Sequence, residues 1–168
     1  MPVHICSDLN EVLWQNALAD LVFGRLDRSA GRGRNVVWRW FTEPGTRDRV
    51  PQEDRPRLSA ASVSDLRATH ARRSGDADVT TLVHDLLDLS AEFRALWAQH
   101  EVAVRRFDRK RMHHPEVGLL ELTCEVLLTP EDDLKVLAFF PTEGTDAREK
   151  LELLRVIGAQ AFEPSRPG

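Results

Sequence analysis

An α+β fold is predicted, with two N-terminal and three C-terminal strands in antiparallel arrangement, covered by helices from mid-chain and followed by a C-terminal helix. Three observations predict it. Residues 119–128 alternate, with Leu120, Leu122, Cys124, Val126 and Leu128 on one face and Glu121, Thr123 and Glu125 on the other. Residues 78–99 repeat apolar side chains every three or four positions, from Val79, Leu82, Val83 and Leu86 to Leu89, Phe93, Leu96 and Trp97. Two short apolar runs, 3–6 and 11–14, flank the turn formers Ser7-Asp8-Leu9-Asn10 and read as a hairpin.

The elements follow in order. Asn16 stands at an N-cap position, Leu18, Leu21 and Val22 follow at helical spacing, and Gly24 supplies a stop, which predicts a helix over 16–23. The segment 28–34, rich in glycine and arginine, reads as a loop. Val36, Val37, Trp38, Trp40 and Phe41 then form a short cluster, predicted to be buried and ended by Pro44. Over 58–73, Leu58, Ala61, Val63, Leu66 and Ala68 predict an amphipathic helix with Ser62 and Asp65 outward, ending near Ser74-Gly75. Ser90, an N-cap residue with Glu92 two positions on, splits the stripe of 78–99 into two helices meeting at an angle.

After His100 the period turns from helical to alternating. Residues 102–108 read as a polar strand, 119–128 as the clearest strand, and 134–140 as a third after the turn Thr129-Pro130-Glu131-Asp132-Asp133. Asp146 and Glu149 have capping-box spacing and open a last helix, 145–161, through Leu151, Leu154 and Ile157. This helix is predicted to pack on the meander or on a second subunit.

With 168 residues the chain is expected to form one domain over 1–162, with 163–168 as a flexible tail. Hydrophobic residues at 42% against 30% charged exclude a disordered chain. The formal net charge of -4 gives no overall attraction for a polyanion, so this segment alone is not expected to bind DNA. Cys6 and Cys124 are far apart and outside any CxxC pair, which argues against a disulfide framework or zinc knuckle and suits a reducing cytoplasm. No apolar run approaches the ~20 residues that cross a bilayer, so no membrane role is expected.

The chemistry-bearing side chains suggest binding, with no catalytic residue expected. No G-x-S-x-G elbow, G-x-G-x-x-G or P-loop occurs, and Cys124, the one candidate nucleophile, falls on the apolar strand face where a thiol is inert. His100, His113 and His114 make no metal set with Cys124, because adjacent strand residues point to opposite faces; neither metal nor cofactor is expected. His114, before Pro115, is expected to make a structural hydrogen bond at a strand bend, with Gly118 permitting close backbone approach. The run Arg105, Arg106, Arg109, Lys110 and Arg111 reads first as a solvated strand face and second as a holder of a ligand carboxylate or of DNA phosphates. The aromatics Trp14, Trp38, Trp40, Phe41, Phe93 and Trp97 read singly as core and together as the walls of a pocket.

Two strands, several helices and three strands is the order of PAS-type sensor domains, and this likeness implies that the first hairpin joins the last three strands in one five-stranded antiparallel sheet. Several segments add specificity: LNEVLWQNALADLVFG at 9–24, EFRALWAQHEV at 92–102, HPEVG at 114–118, and LKVLAFFPTEGTDAREKLELL at 134–154. Together they resemble the MmyB-like ligand-binding domain of Xre-type helix-turn-helix transcription regulators, over most of residues 3–155. The resemblance implies a PAS-like, non-enzymatic sensor that accepts a small apolar molecule, plausibly a fatty acid, and shifts an associated helix-turn-helix between DNA-binding states. For such a ligand the candidate lining residues are Trp14, Trp38, Phe41, Leu86, Phe93 and Trp97, whose bulk supplies apolar walls, with Leu122, Cys124 and His114 from the strands. Arg94 and Arg106 are the candidates for an acid headgroup. A tryptophan expected in the family is missing around Arg57–Ser62. The family's helix-turn-helix normally precedes this domain, whereas the chain starts at Met1 on the sensor, so either a fragment of a regulator or a stand-alone relative is expected. The partners are then the apolar ligand, DNA only through that absent helix-turn-helix, and a second copy, through helix 145–161 or exposed aromatics.

Overall fold

The computed structural model describes residues 1–25, 31–101, 107–129 and 133–160. Strands β1 (Val3–Ser7), β2 (Val12–Gln15), β3 (Phe107–His114), β4 (Gly118–Thr129) and β5 (Leu134–Pro141) form one antiparallel sheet in the order β2-β1-β5-β4-β3. The N-terminal hairpin joins the C-terminal meander by pairing β1 with β5, which is the PAS-like arrangement of the expected α+β class.

Helices α1 (Ala17–Phe23), α2 (Val36–Thr42), α3 (Arg55–Arg72), α4 (Ala77–Leu89) and α5 (Ala91–Trp97) lie between the hairpin and the meander, and α6 (Ala147–Gln160) follows β5. Side-chain caps fix the starts of the short ones. Asn16 Oδ1 accepts from Ala19 N at 2.9 Å, Asn35 Oδ1 from Trp38 N at 2.9 Å, and Ser90 Oγ from Phe93 N at 3.1 Å. The expected split at Ser90 is therefore present, and Gly24 at φ 95 ends α1.

Register defines the inner face of the sheet. His4 faces Leu137 and Cys6 faces Lys135 across β1 and β5; Val126 faces Leu137 and Cys124 faces Phe139 across β4 and β5; Lys110 faces Leu122 across β3 and β4. Paired residues in a ladder point to the same side, so all of these share one face. Two buried clusters result. One joins Leu120, Leu122, Cys124 and Phe139 to Val22 of α1 and to Ala147, Leu151 and Leu154 of α6. The other lies within the helices, from Val37 and Phe41 through Val63, Leu66, Leu82, Val83 and Leu86 to Phe93.

Polar bonds fasten α3 across the gap between these clusters. Ahead of its N-terminus Asp54 and Glu53 bind Arg111 at 2.8 and 2.9 Å, and Arg57 pairs with buried Asp108. Near its middle Asp65 meets Lys135, and at its end Arg72 and Arg73 both bind buried Asp8, at 2.7 and 2.9 Å.

Four sequence expectations are corrected. The polar strand expected over 102–108 is β3 at Phe107–His114, so the bases from Arg109 onward stand within a strand; residues 102–106, including Arg105 and Arg106, lie outside the described residues. Asp65, expected outward, is buried, and Ser62 is half-buried, because α3 turns polar side chains toward a cationic sheet position. Only Val37 and Phe41 of the aromatic cluster in α2 are buried, while Val36 is exposed and both tryptophans are half-buried. Gly118 serves a left-handed backbone at φ 72, and a Cβ there would meet nothing within 4 Å, so close approach is not its role.

Candidate functional site

Between the inner sheet face and the helices lies a cavity of about 540 Å³. Its floor is His4, Cys6, Leu137, Phe139 and Val126, with Val12 from β2 and Phe23 from α1; its roof includes Val36 and Val37 of α2 and Ser62 and Asp65 of α3. It exists because the helical cluster closes on itself above the sheet cluster instead of merging with it. A volume in the range of small-molecule sites, with an apolar floor and many polar and charged groups around it, suits an amphiphilic guest.

The polar lining is cationic. Arg25, Arg34, Arg39, Arg49, Lys110 and Lys135 line the cavity against the acids Glu43 and Asp65. Several of these cations are already engaged. Lys135 Nζ lies 2.6 Å from Asp65 Oδ2 and donates to Asn10 Oδ1 at 3.2 Å, while Asn10 Nδ2 donates to the same carboxylate at 3.1 Å. This buried triad joins β5, the β1–β2 turn and α3, and Asn10 enters it from a left-handed backbone at φ 64. Arg34 binds Glu11 at 2.7 Å. Arg49 donates to the Val22 and His113 carbonyls at 2.8 and 3.1 Å, and burial lowers its pKa.

Two titratable groups on β1 are held neutral. Burial pushes the Cys6 thiol up to about 12, so it is an inert part of the wall. Burial, and next the Lys110 charge, lower His4 to about 4 against a smaller opposing pull from Asp20. The His4 ring stands edge-on to Phe23 and Phe139, with centroids 4.7 and 5.3 Å away.

The residues singled out by sequence lie elsewhere. Phe41, Leu86 and Phe93 sit in the helical cluster with Trp38 and Trp97 packed on it; Phe93 is edge-on to Phe41 at 5.2 Å and stacked on Trp97 at 5.4 Å. Trp14 is half-exposed on the edge strand β2. Arg94 is exposed and turned to the Leu87 and Asp88 carbonyls, and Arg106 lies outside the described residues. Leu122 and Cys124 are buried in the sheet cluster; Leu122 lines a smaller cavity of about 340 Å³, which shares Lys110 with the main one. His114 makes the expected structural bonds. Its Nδ1 accepts from Glu116 N at 3.2 Å, so the proton belongs on Nε2, which donates to Leu21 O at 2.9 Å. Sequence reasoning passed over His4, Asn10, Asp65 and Lys135. The available signal was Lys135 in phase with Leu137 and Phe139, but both faces of that strand are apolar and the phase was ambiguous.

Among the described residues no group of three His, Cys, Asp or Glu side chains converges into a metal site, and no helix is long and apolar enough to cross a membrane. A five-stranded PAS-like sheet roofed by helices over such a cavity defines the class of ligand-binding sensor domains. Within that class the chain belongs to the MmyB-like transcription regulator ligand binding domain family, which it matches over residues 1–154. Comparison with curated proteins finds none that matches. The chain is thus a ligand-binding regulatory domain of the transcription-regulator type.

Proposed function

We propose that the cavity between sheet and helices holds a small apolar ligand, a fatty acid or similar lipid, and that its occupancy modulates DNA binding by an associated helix-turn-helix. The observation that carries this reading is a 540 Å³ space walled by Val12, Val37, Leu137 and Phe139 and edged by cations, a lining that suits an apolar chain with an acidic end. Control requires that the ligand favour one of two conformations, since equal affinity for both shifts nothing. The domain works in the cytoplasm without catalysis. Two copies pair through α6, where Leu153 and Val156, three residues apart, are about half-exposed.

Native mass spectrometry of the purified protein, with solvent extraction, tests the reading. We expect a co-purifying lipid-sized mass and the mass of a dimer. A saturating fatty acid at a hundredfold excess over Kd should stabilise the fold by about 2.7 kcal/mol, raising Tm by about 5–10 °C. An empty cavity in repeated spectra, with no thermal shift across a fatty-acid panel, would favour a stand-alone interaction module instead.

A further inference from the structure

The buried triad leaves one position open on each of its charged members. Lys135 Nζ carries three N–H groups and gives one to Asp65 Oδ2 at 2.6 Å and one to Asn10 Oδ1 at 3.2 Å, so a third remains. Asp65 Oδ2 takes the bonds from Lys135 and from Asn10 Nδ2, while Oδ1 accepts none among the described residues. Ser62 stands one turn before Asp65 on α3, lines the same cavity, and its hydroxyl likewise has no partner among the described residues. Neither of these two oxygens is sealed from solvent. Asp65 and Lys135 are only 8% and 6% exposed, so the open positions lie deep in the cavity, away from the mouth where exposed Arg25 and Arg39 stand.

Resting on the ligand reading above, we propose that Ser62, Asp65 and Lys135 form an inner polar subsite for a hydroxyl on the ligand's chain, so that the guest is a hydroxylated acyl chain and not a plain one. The ion pair cancels its own charge and therefore suits a neutral group: Asp65 repels a second carboxylate, and Lys135 repels an ammonium. A hydroxyl both donates and accepts, which matches an open N–H beside an open carboxylate oxygen. In the empty cavity water serves these positions. A bare hydrocarbon that expels the water returns no bond, whereas a hydroxyl replaces what it displaces. The rest of the chain lies on the apolar floor of Leu137 and Phe139.

The experiment is calorimetric titration of decanoate, 3-hydroxydecanoate and 10-hydroxydecanoate into the wild type, Ser62→Ala and the double variant Asp65→Leu with Lys135→Met, with melting curves to verify folding. The wild type should bind a hydroxy acid about tenfold more tightly than decanoate, the 10-hydroxy compound above all, because its carboxylate can stay at the mouth while its hydroxyl reaches inward. Ser62→Ala should lower that ratio severalfold, and the double variant, whose inner wall is apolar, should reverse it in favour of decanoate. A hydroxyl preference retained in full by either variant, or a wild type that prefers neither hydroxy acid to decanoate, overturns the subsite and leaves the ligand reading standing. Binding of none of the three by the wild type removes both. If the double variant fails to fold, Ser62→Ala decides the matter.

Discussion

Lys135 and Asp65 form a buried ion pair, and such a pair offsets its desolvation only when the spare donors and acceptors are also satisfied. Asn10 does this by bonding both partners. Asp65→Ala, which strands the ammonium, should therefore cost about 3–5 kcal/mol in urea unfolding, whereas Asp65→Leu combined with Lys135→Met should cost far less. An equal loss in both would mean that the pair is not the fastening described. His4 carries a second prediction. Its folded pKa of about 4 lies below the unfolded 6.5, so between these values the unfolded chain takes up a proton that the folded chain refuses. Its contribution is complete above about pH 6.5 and is lost as pH falls toward 4, in total on the order of 3 kcal/mol. The urea midpoint should fall across that window, and His4→Phe should flatten the slope; parallel slopes would show that His4 is not the group responsible. Neither role was legible in sequence. Asp65 finds its counter-charge 70 residues away, and a helical pattern read locally sends a lone carboxylate to solvent.

At the scale of elements, local chemistry decided the outcome and the sequence was readable for that reason. Asn16, Ser90 and Gly24 act where their types predict, because a cap needs only the next few residues. Ser90→Ala should remove one capping bond and lower stability by about 1 kcal/mol in urea titration, with the folded spectrum retained. A neutral result would show that the α4–α5 junction is held by packing around Phe93 alone. The boundary of β3 was misplaced for the opposite reason. Its bases look solvated when read alone, yet Arg111 is bound to Glu53 and Asp54, and the edge of the strand is covered where His113 N donates to Arg49 O and Arg57 donates to Arg109 O.

For the whole molecule, the strands and the existence of a roof were legible from periodicity, and the joining of the hairpin to the meander from the likeness to PAS-type domains. The walls of the cavity were not. Sequence reading gave the large aromatics to the ligand, whereas Phe93 stands edge-on to Phe41 and stacks on Trp97 inside the helical layer, and β1 and β5 supply the floor. Aromatic residues report that surface will be buried and carry no mark of which surface buries them.

The manner in which α3 is attached sets the kind of motion open to this domain. Its fastenings are ion pairs spread from Asp54 to Arg73: Arg57 and Arg72 are half open to water, whereas the Asp65–Lys135 pair near the middle is buried and is the costly one to break. Water and salt can replace the outer bonds, but not the buried one. The helix is therefore pinned near its middle and loosest toward its exposed arginines, so a rocking about that pivot demands less work than prising the whole helix from the strands.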